Sequence, residues 1–562
     1  MGGSRLFGGR IPRVFAGPAP QGLPGTGRER LLGQLLGLSS VAVSAVLFVL
    51  SFPPSHVLGL AWVALVPLFV TLRRCGPVAA LFTAGLWGML AAYGTTDWLP
   101  PTLTVYYHQP YWVGLGLFLT ASFLMGSLDY MGFAAVYRDV GLRGRRPMVL
   151  VAGAAWALAE FGRDRLLTGN PWGLVGYSQL PLAATAAGSP ASWLAERVTQ
   201  VADLGGVYAV SFVIVAVNAL GAEIWLALVA PDGSKSWSGR RRGLLVEGGC
   251  CAALVAAALA YGSWRLATVP GPESATGSVA VVQANLDLGA RWDPALYGRN
   301  LEAYLTLTQR ALEAAPASLV VWPENAMTFF VDQEKPFRVA IAATTEPHDT
   351  QLLAGAPRQE GESTPAYYNS AFLLAPDGEI LAGYDKEHLL PFAEYFPFSS
   401  VGLLRRSFGR VREFSAGERA ATAPMATAVG RAGILICNEA MFPYLAGRRV
   451  RDGAEVLINL SNDSWVDSTE FAEHQFALVT MRAIEQRRWL VRASTSGPSA
   501  VVDPRGRVQQ RTEPFTSGFF GARVAARSNR TFYGRFGDVF VWMCAGLVLA
   551  ALAIGRKRSR GR

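Results

Sequence analysis

Cysteine is scarce: Cys75, Cys250, Cys251, Cys437 and Cys544 are the only five among 562 residues. Only Cys437 falls in a stretch that reads as water-soluble, so that stretch holds no internal disulfide and a disulfide scaffold is excluded. Charged residues are thin, at 16%. No metal-ligand spacing, Gly-rich phosphate loop or RNA-binding signature is present, so neither a metal nor another cofactor is expected. Repeats and low-complexity tracts are missing beyond the Gly/Pro/Arg-rich residues 1–30, which read as a disordered basic segment. The net charge of +10 would suit nucleic acid, but the arginines cluster in short tracts beside apolar runs, which is a membrane pattern. No nucleic-acid partner is expected.

What is plentiful is apolar. Hydrophobic residues make up 51% of the chain and the mean hydropathy is +0.26, too apolar and too long for one soluble domain. A bilayer core of about 30 Å needs about 20 apolar residues in a helix. Eight stretches meet or approach that: Leu31–Phe52, His56–Leu72, Gly76–Tyr93, Tyr111–Val136, Met148–Gly162, Gly205–Val229, Leu244–Ser263 and Val539–Gly555, the fifth being the shortest. A cleaved signal peptide is the competing reading of the first, but that run has the length of a full span and ends at Ser51-Phe52-Pro53-Pro54, not at a small-residue cleavage site.

Arginine and lysine in short flanks stay on the cytoplasmic side. Arg5, Arg10, Arg13, Arg28 and Arg30, then Arg73 and Arg74, then Arg138, Arg143, Arg145 and Arg146, then Lys235 and Arg240–Arg242, mark alternate flanks as inside. The tail Arg556, Lys557, Arg558, Arg560, Arg562 returns to that pattern. Both termini are therefore expected in the cytoplasm and the 265–537 stretch outside it. The division is a basic segment over 1–30, a seven-helix membrane domain over 31–264, a water-soluble domain over 265–537, and a last helix with its basic tail over 538–562.

In the water-soluble domain, short β-branched runs alternate with helical patterns. Strands are expected at Ser278–Asn285, Ser318–Trp322, Gln351–Ala356, Tyr368–Leu374, Gly433–Cys437, Glu455–Leu460, Trp489–Ala493 and Ala500–Asp503. Helices are expected at Tyr297–Ala314, Pro336–Ala343 and Glu470–Gln486. This is a layered α/β domain.

Four segments carry reactive types: Val320-Val321-Trp322-Pro323-Glu324, the run Tyr384–Phe392, Gly433–Glu439, and Leu460–Trp465. The first and third place a reactive side chain at the carboxyl end of an apolar strand, where active sites gather in such domains. A cysteine acting on a carbonyl needs a base for its proton and a cation for the oxyanion. Glu324, Lys386 and Cys437 are of the types those roles require. Each also has a bland reading: a helix-capping carboxylate, a solvated turn lysine, an inert buried thiol. His388 and His474 offer a Cys-His pair as another option, although His474 sits on a helix face where packing is the commoner role. The span carboxylates Asp129, Glu160, Glu223 and Glu247 would be costly facing lipid and must turn inward or reach an end. Glu160, before Arg163 and Arg165, reads either as functional or as an ion pair orienting a loop. After Lys386, Phe392, Tyr395, Phe396, Phe398, Val401, Leu403 and Leu404 followed by Arg405 and Arg406 suit either an arm resting in the membrane interface or a packed loop.

Glu324, Lys386 and Cys437, in that order and in segments of these types, resemble the nitrilase superfamily. With the preceding spans, and with Trp156, Glu160, Thr168–Gly173 and Gly176–Gln179, the resemblance narrows to the apolipoprotein N-acyltransferase family and covers nearly the whole chain. It implies an αββα sandwich for the soluble domain. It also implies Glu324 as general base, Lys386 as oxyanion cation and Cys437 as nucleophile, with Glu394, Glu439, Asn438, Trp465 and Trp322 in supporting or substrate-binding places. Asn438 departs from the family, which often has tyrosine there. The implied reaction is two-step acyl transfer at a bacterial inner membrane, from a phospholipid through a thioester to the N-terminal amine of an S-diacylglyceryl-cysteine lipoprotein, with the catalytic domain on the periplasmic side. A membrane-tethered amidase or nitrilase-type hydrolase and a non-catalytic envelope scaffold are the rival readings.

Overall fold

The computed structural model describes residues 27–107, 110–142, 148–180, 188–229, 237–286, 294–361, 365–395, 413–418 and 422–559. The basic segment before Gly27 and the distal part of the aromatic run, including Phe396, Phe398, Val401, Leu403, Leu404, Arg405 and Arg406, lie outside the described residues.

The N-terminal half is helical. Among the described residues four helical stretches are long and apolar enough to cross a membrane: Pro77–Thr95, Tyr111–Leu142, Pro190–Leu228 and Arg241–Ser274. Shorter apolar helices are Gly33–Val49 and Val539–Ile554. The expected His56–Leu72 span does not form one helix. It divides into a 3₁₀ turn, Leu60–Trp62, and a nine-residue helix, Val66–Arg74, which opens with Pro67 in its first turn where the missing N–H is harmless. Met148–Arg165 is a helix of 18 residues with most of its side chains buried against neighbours. Arg73 and Arg138, both assigned to one side by charge, do share an end of the bundle: Arg73 donates to the Gly141 carbonyl and Arg138 to the Cys75 carbonyl, each at 2.8 Å.

Three of the carboxylates within these helices find partners on neighbouring elements. Glu223 pairs with Arg73 at 2.6 Å, and Glu247 accepts the first free N–H groups of the Met148–Arg165 helix, from Met148 and Val149. Glu160 accepts from Trp156 Nε1 at 2.9 Å and from Val175 N at 2.7 Å, while Arg163 donates to Tyr130 and to the Trp172 carbonyl. Both residues fix the loop over 166–176, but through these bonds and not through an ion pair with each other.

Among the described residues twelve strands follow, in two six-stranded sheets. The first has the order β12-β1-β2-β3-β4-β5 and the second β11-β10-β9-β8-β7-β6. The strands are β1 Gly277–Gln283, β2 Leu319–Val321, β3 Gln351–Glu360, β4 Ala366–Leu374, β5 Ile380–Asp385, β6 Met425–Thr427, β7 Gly430–Ile436, β8 Val456–Ser461, β9 Trp489–Ser494, β10 Ala500–Val502, β11 Val508–Arg511 and β12 Gly518–Val524. Each sheet has a parallel centre, β1–β2–β3 and β7–β8–β9, flanked by antiparallel strands.

Side-chain alternation builds the layers. Val279 and Val281 of β1 and Leu319 and Val321 of β2 meet Ile434, Ile436, Ile458 and Val491 of the second sheet in one core. The alternate residues Ala280, Val282 and Val320 pack with Trp322 under helix Pro294–Ala314, against Leu301, Tyr304 and Leu312. On the far face of the second sheet, Leu435, Leu457 and Leu490 pack with helix Thr469–Gln486. That last core is continuous with the membrane helices, reaching Trp156, Trp172 and Val207. The order is helix, sheet, sheet, helix, and the second helix layer rests on the helical domain.

The contact is also polar. Glu485 accepts the Val207 N–H at 2.9 Å, which is free because the Ala202–Leu228 helix breaks at Gly205 and Gly206. Gly206 has φ +66°, and a Cβ there would lie 2.9 Å from the Tyr533 ring, so conformation and space both demand glycine. Arg487 binds Asp203 at 2.8 Å and Gln200 at 2.6 Å, and Arg482 donates to Tyr177 at 2.9 Å.

Candidate active site

Strand ends from both sheets converge on one buried cluster. Glu324 lies just past β2, Lys386 directly follows β5, Cys437 directly follows β7 and Asn462 directly follows β8. Glu324 Oε1 accepts from Asn369 Nδ2 at 2.6 Å and stands 3.8 Å from Lys386 Nζ. Its Oε2 accepts the Asn462 N–H at 2.7 Å, and the same carboxylate interacts with the Cys437 thiol. Lys386 Nζ binds Glu394 Oε2 at 2.8 Å, and Asn369 Nδ2 donates to Glu394 Oε1 at 2.7 Å. Two carboxylates thus share one ammonium and one carboxamide. Glu394 is itself fixed by the Leu390 N–H at 2.7 Å.

All four ionisable groups are over nine-tenths buried: Lys386 is 1% exposed, Glu324 4%, Cys437 5% and Glu394 7%. Burial, with the Glu394 charge added, outweighs the pull of Lys386 and holds the Glu324 carboxyl above its ordinary range. Burial and then the Glu324 carboxylate push the Cys437 thiol well up. Burial alone would lower Lys386, but Glu394 and Glu324 overcome it and keep the amine charged. The resting arrangement is therefore a thiol beside a carboxylate, with a fixed cation at hand.

The nucleophile-type residue sits in a strained turn. Cys437 has φ +52°, a conformation that side chains other than glycine rarely adopt, and it opens the 3₁₀ turn Cys437–Met441. Glu439 holds that turn. Its Oε2 accepts the Ile436 N–H at 2.7 Å, and its Oε1 accepts from Tyr384 Oη and from the N–H groups of Glu387 and His388. Glu439 is fully buried and ties the Cys437 turn to the Lys386 segment. Gly355 of β3 passes behind Glu324, where a Cβ would fall 2.6 Å from the Glu324 Cα.

Asn438 donates Nδ2 to the His388 carbonyl at 3.3 Å. Trp322 is not part of the cluster. It faces the outer helix and donates Nε1 to Thr308 at 2.9 Å, because it shares the face of β2 opposite the inter-sheet core. Trp465 packs edge-on against Phe471 at 5.6 Å and Trp98 at 6.4 Å, joining the sheet domain to the helical one. The two histidines serve elsewhere. His388 lies against Phe442 and within 3.3 Å of the Tyr444 hydroxyl, and burial lowers its pKa to about 4. His474 stacks on Phe52 and Trp172, and burial lowers its pKa to about 3. Neither is the hydrogen-bond partner of the thiol.

Two residues of this site were not anticipated. Asn369, in the middle of β4, joins Glu324 to Glu394; the signal was a carboxamide inside a strand otherwise rich in apolar and aromatic residues. Arg492, in the middle of β9, is fully buried and binds Asn459, Asp463 and Gln475. Asn459 in turn donates to the Cys437 carbonyl at 3.3 Å.

Two family profiles match the chain: "Carbon-nitrogen hydrolase" over residues 278–528 and "Apolipoprotein N-acyltransferase N-terminal domain" over residues 44–220. A protein of Geobacter metallireducens named apolipoprotein N-acyltransferase is 32% identical over 527 residues, which cover 92% of this chain and 95% of that protein. A protein of the same name from Azotobacter vinelandii is 29% identical, covering 94% and 95%. Among solved structures, Saccharomyces cerevisiae Nit3, a member of the nitrilase superfamily, is 22% identical over 44% of this chain and 90% of its own, with a TM-score of 0.35. With relatives of one name matching it end to end and both family profiles in their expected order, the chain belongs to the apolipoprotein N-acyltransferase family.

Proposed function

We propose that this protein moves an acyl chain from a membrane phospholipid to the N-terminal amine of an S-diacylglyceryl-cysteine lipoprotein, by way of a thioester on Cys437. The observation that carries the reading is the buried cluster in which Glu324 and Glu394 hold a charged Lys386 beside the Cys437 thiol. In the first half-reaction Sγ attacks the ester carbonyl carbon while Glu324 takes the thiol proton. The oxyanion forms beside Lys386, whose charge Glu394 maintains. Collapse breaks the C–O bond to the glycerol, and the departing oxygen receives the proton from Glu324, giving lysophospholipid and thioester. In the second half-reaction the neutral amine attacks the thioester, Glu324 takes one of its protons, and the C–S bond breaks. That proton returns to sulfur, leaving an amide and the resting thiol.

Support for a lipid donor comes from the join between domains. Trp98 and Trp172 of the helical domain pack on Phe471, and Phe471 packs on Trp465, three residues from the Asn462 that binds Glu324. An apolar, aromatic join of this kind beside the site suits a lipid substrate. Incubating the purified protein with acyl-labelled phospholipid and no acceptor is expected to label Cys437, with the label released by neutral hydroxylamine, which cleaves thioesters and spares amides. A scaffold would take no label, and a hydrolase would release free fatty acid steadily without any amine.

The proposed orientation puts the sheet domain outside the cytoplasm and both termini inside it. Val339 is 59% exposed on the sheet domain and Leu142 is 55% exposed at the charged end of the bundle. Val339→Cys is expected to react with a membrane-impermeant maleimide in cells whose outer barrier alone is opened, and Leu142→Cys only after the inner membrane is permeabilised. The opposite order would reverse the topology.

A further inference from the structure

Asn438 leaves a question that its neighbours answer only by half. It is 3% exposed, adjoins the nucleophile, and commits Nδ2 to the His388 carbonyl, two residues beyond Lys386. A carbonyl only accepts, so this bond fixes the carboxamide's orientation with nitrogen toward His388. The other end, Oδ1, is buried without a protein partner. A buried acceptor left unmade is unfavourable. A substrate group that meets it must bring a donor. The acyl donor in the proposed reaction brings ester and phosphate oxygens to the reacting centre, and these are acceptors. The amine that follows brings N–H groups.

We propose that Asn438 Oδ1 is the docking point for an N–H of the acceptor amine in the second half-reaction. This rests on the acyltransferase reading above. A primary amine has two N–H bonds: one proton passes to Glu324, and the other is directed at Asn438. As the C–N bond forms, nitrogen acquires positive charge, so the bond to Oδ1 strengthens toward the transition state and acts on the rate as well as on affinity. Asn438 is in this sense a residue that selects a primary amine. Tyrosine, common in the family at this place, carries a hydroxyl in a different position, so the departure here marks a different way of holding the same nitrogen.

The test separates the two half-reactions. The full-length protein in lipid nanodiscs is acylated with labelled phospholipid, and a peptide with an S-diacylglyceryl N-terminal cysteine is then added under single-turnover conditions. In Asn438→Leu, which keeps the side-chain size and removes the acceptor, transfer to the peptide is expected to fall about tenfold to a hundredfold further than acylation does. A second acceptor, the same peptide with its amine N-methylated, has a single N–H. The parent protein is expected to prefer the primary amine by a ratio that Asn438→Leu reduces at least tenfold, since the bulk of the methyl group enters both ratios and cancels. Equal losses in both steps, or an unchanged preference between the two amines, overturns the assignment of Asn438 while leaving the acyltransferase reading intact. If the parent chain takes no label from phospholipid at all, both fall.

Discussion

Alanine at position 437 is expected to lower acyl transfer by on the order of 10⁴-fold or more, to leave no labelled protein in the phospholipid assay, and to preserve the fold. The size of the effect follows from the arrangement. Glu324 and Lys386 are positioned for a reaction at sulfur, and without sulfur there is no covalent intermediate to split the transfer into two feasible steps. Direct attack by the amine on the ester would need both substrates bound at once beside the same groups. Groups that act as a unit are non-additive, so Cys437→Ala combined with Glu324→Gln is expected to be little worse than Cys437→Ala alone. Folding should survive, because the thiol's polar contacts are few: the Glu324 carboxylate and a distant Ser461 hydroxyl at 3.9 Å. The measurements are single-turnover label transfer and the apparent melting midpoint, side by side. Near-parental turnover in Cys437→Ala would sink the thioester mechanism outright.

How far the sequence reveals this site depends on where each residue falls. Glu324 and Cys437 are legible because each follows an apolar run that reads as a strand, where a reactive type stands out; Lys386 follows β5, which does not read as a strand, and is legible only by its residue type and the family resemblance. Asn369 and Arg492 are not, because each lies inside a strand and meets partners far away in sequence: Asn369 meets Glu324 45 residues back, and Arg492 meets Asp463 29 residues back. A polar residue within an apolar run announces that it must be satisfied, but not by whom. The strands followed the same logic. The eight runs expected from β-branched content all form, whereas β5, β6, β11 and β12 were missed. All four are edge strands whose side chains are partly exposed or interrupted by glycine, as in Gly518-Phe519-Phe520-Gly521, so their pattern is weak. Trp322 shows the limit of alternation. A strand that is buried on both faces is apolar throughout, and nothing in the sequence says which face looks toward the site.

The helical half was legible in kind but less so in detail. Long apolar runs announce membrane helices, yet the His56–Leu72 run supplies a turn and a short helix that sit under other elements, and length and hydropathy cannot distinguish that from a span. The break at Gly206 is likewise invisible until its partner is seen, since the free Val207 N–H is acceptable only because Glu485 reaches it from the other domain.

Arg492→Leu is expected to be the most destabilising single change in the sheet domain, by about 3–5 kcal/mol, because it breaks a buried pair by removing one partner only. Asp463 and Arg492 are both fully buried, with 2.8 Å between Oδ2 and the guanidinium. Without the arginine, the Asp463 carboxylate keeps only the Ser461 and Ser494 hydroxyls, at 2.8 and 2.9 Å, which cannot balance a full charge removed from water. For a domain of this size the loss corresponds to a fall in melting midpoint of roughly 10 °C, measurable by fluorescence in detergent. The companion Arg492→Leu/Asp463→Asn removes the stranded charge and is expected to recover part of that loss, whereas Asp463→Asn alone leaves the guanidinium unbalanced and should itself be costly. Function should suffer beyond stability. Arg492 also binds the Asn459 carboxamide, whose nitrogen donates to the carbonyls of Leu435 and Cys437. Releasing Asn459 loosens the strained turn that presents the thiol to Glu324, and a misplacement of about 1 Å at a reacting group lowers rates on the order of a hundredfold. The acylation rate of folded Arg492→Leu, taken well below its melting midpoint, is therefore expected to be reduced, and the double variant to recover stability without recovering that rate. A variant that melts within 2 °C of the parent would show that the Arg492–Asp463 pair contributes no net stability, and an unchanged acylation rate would detach Asn459 from the positioning of Cys437.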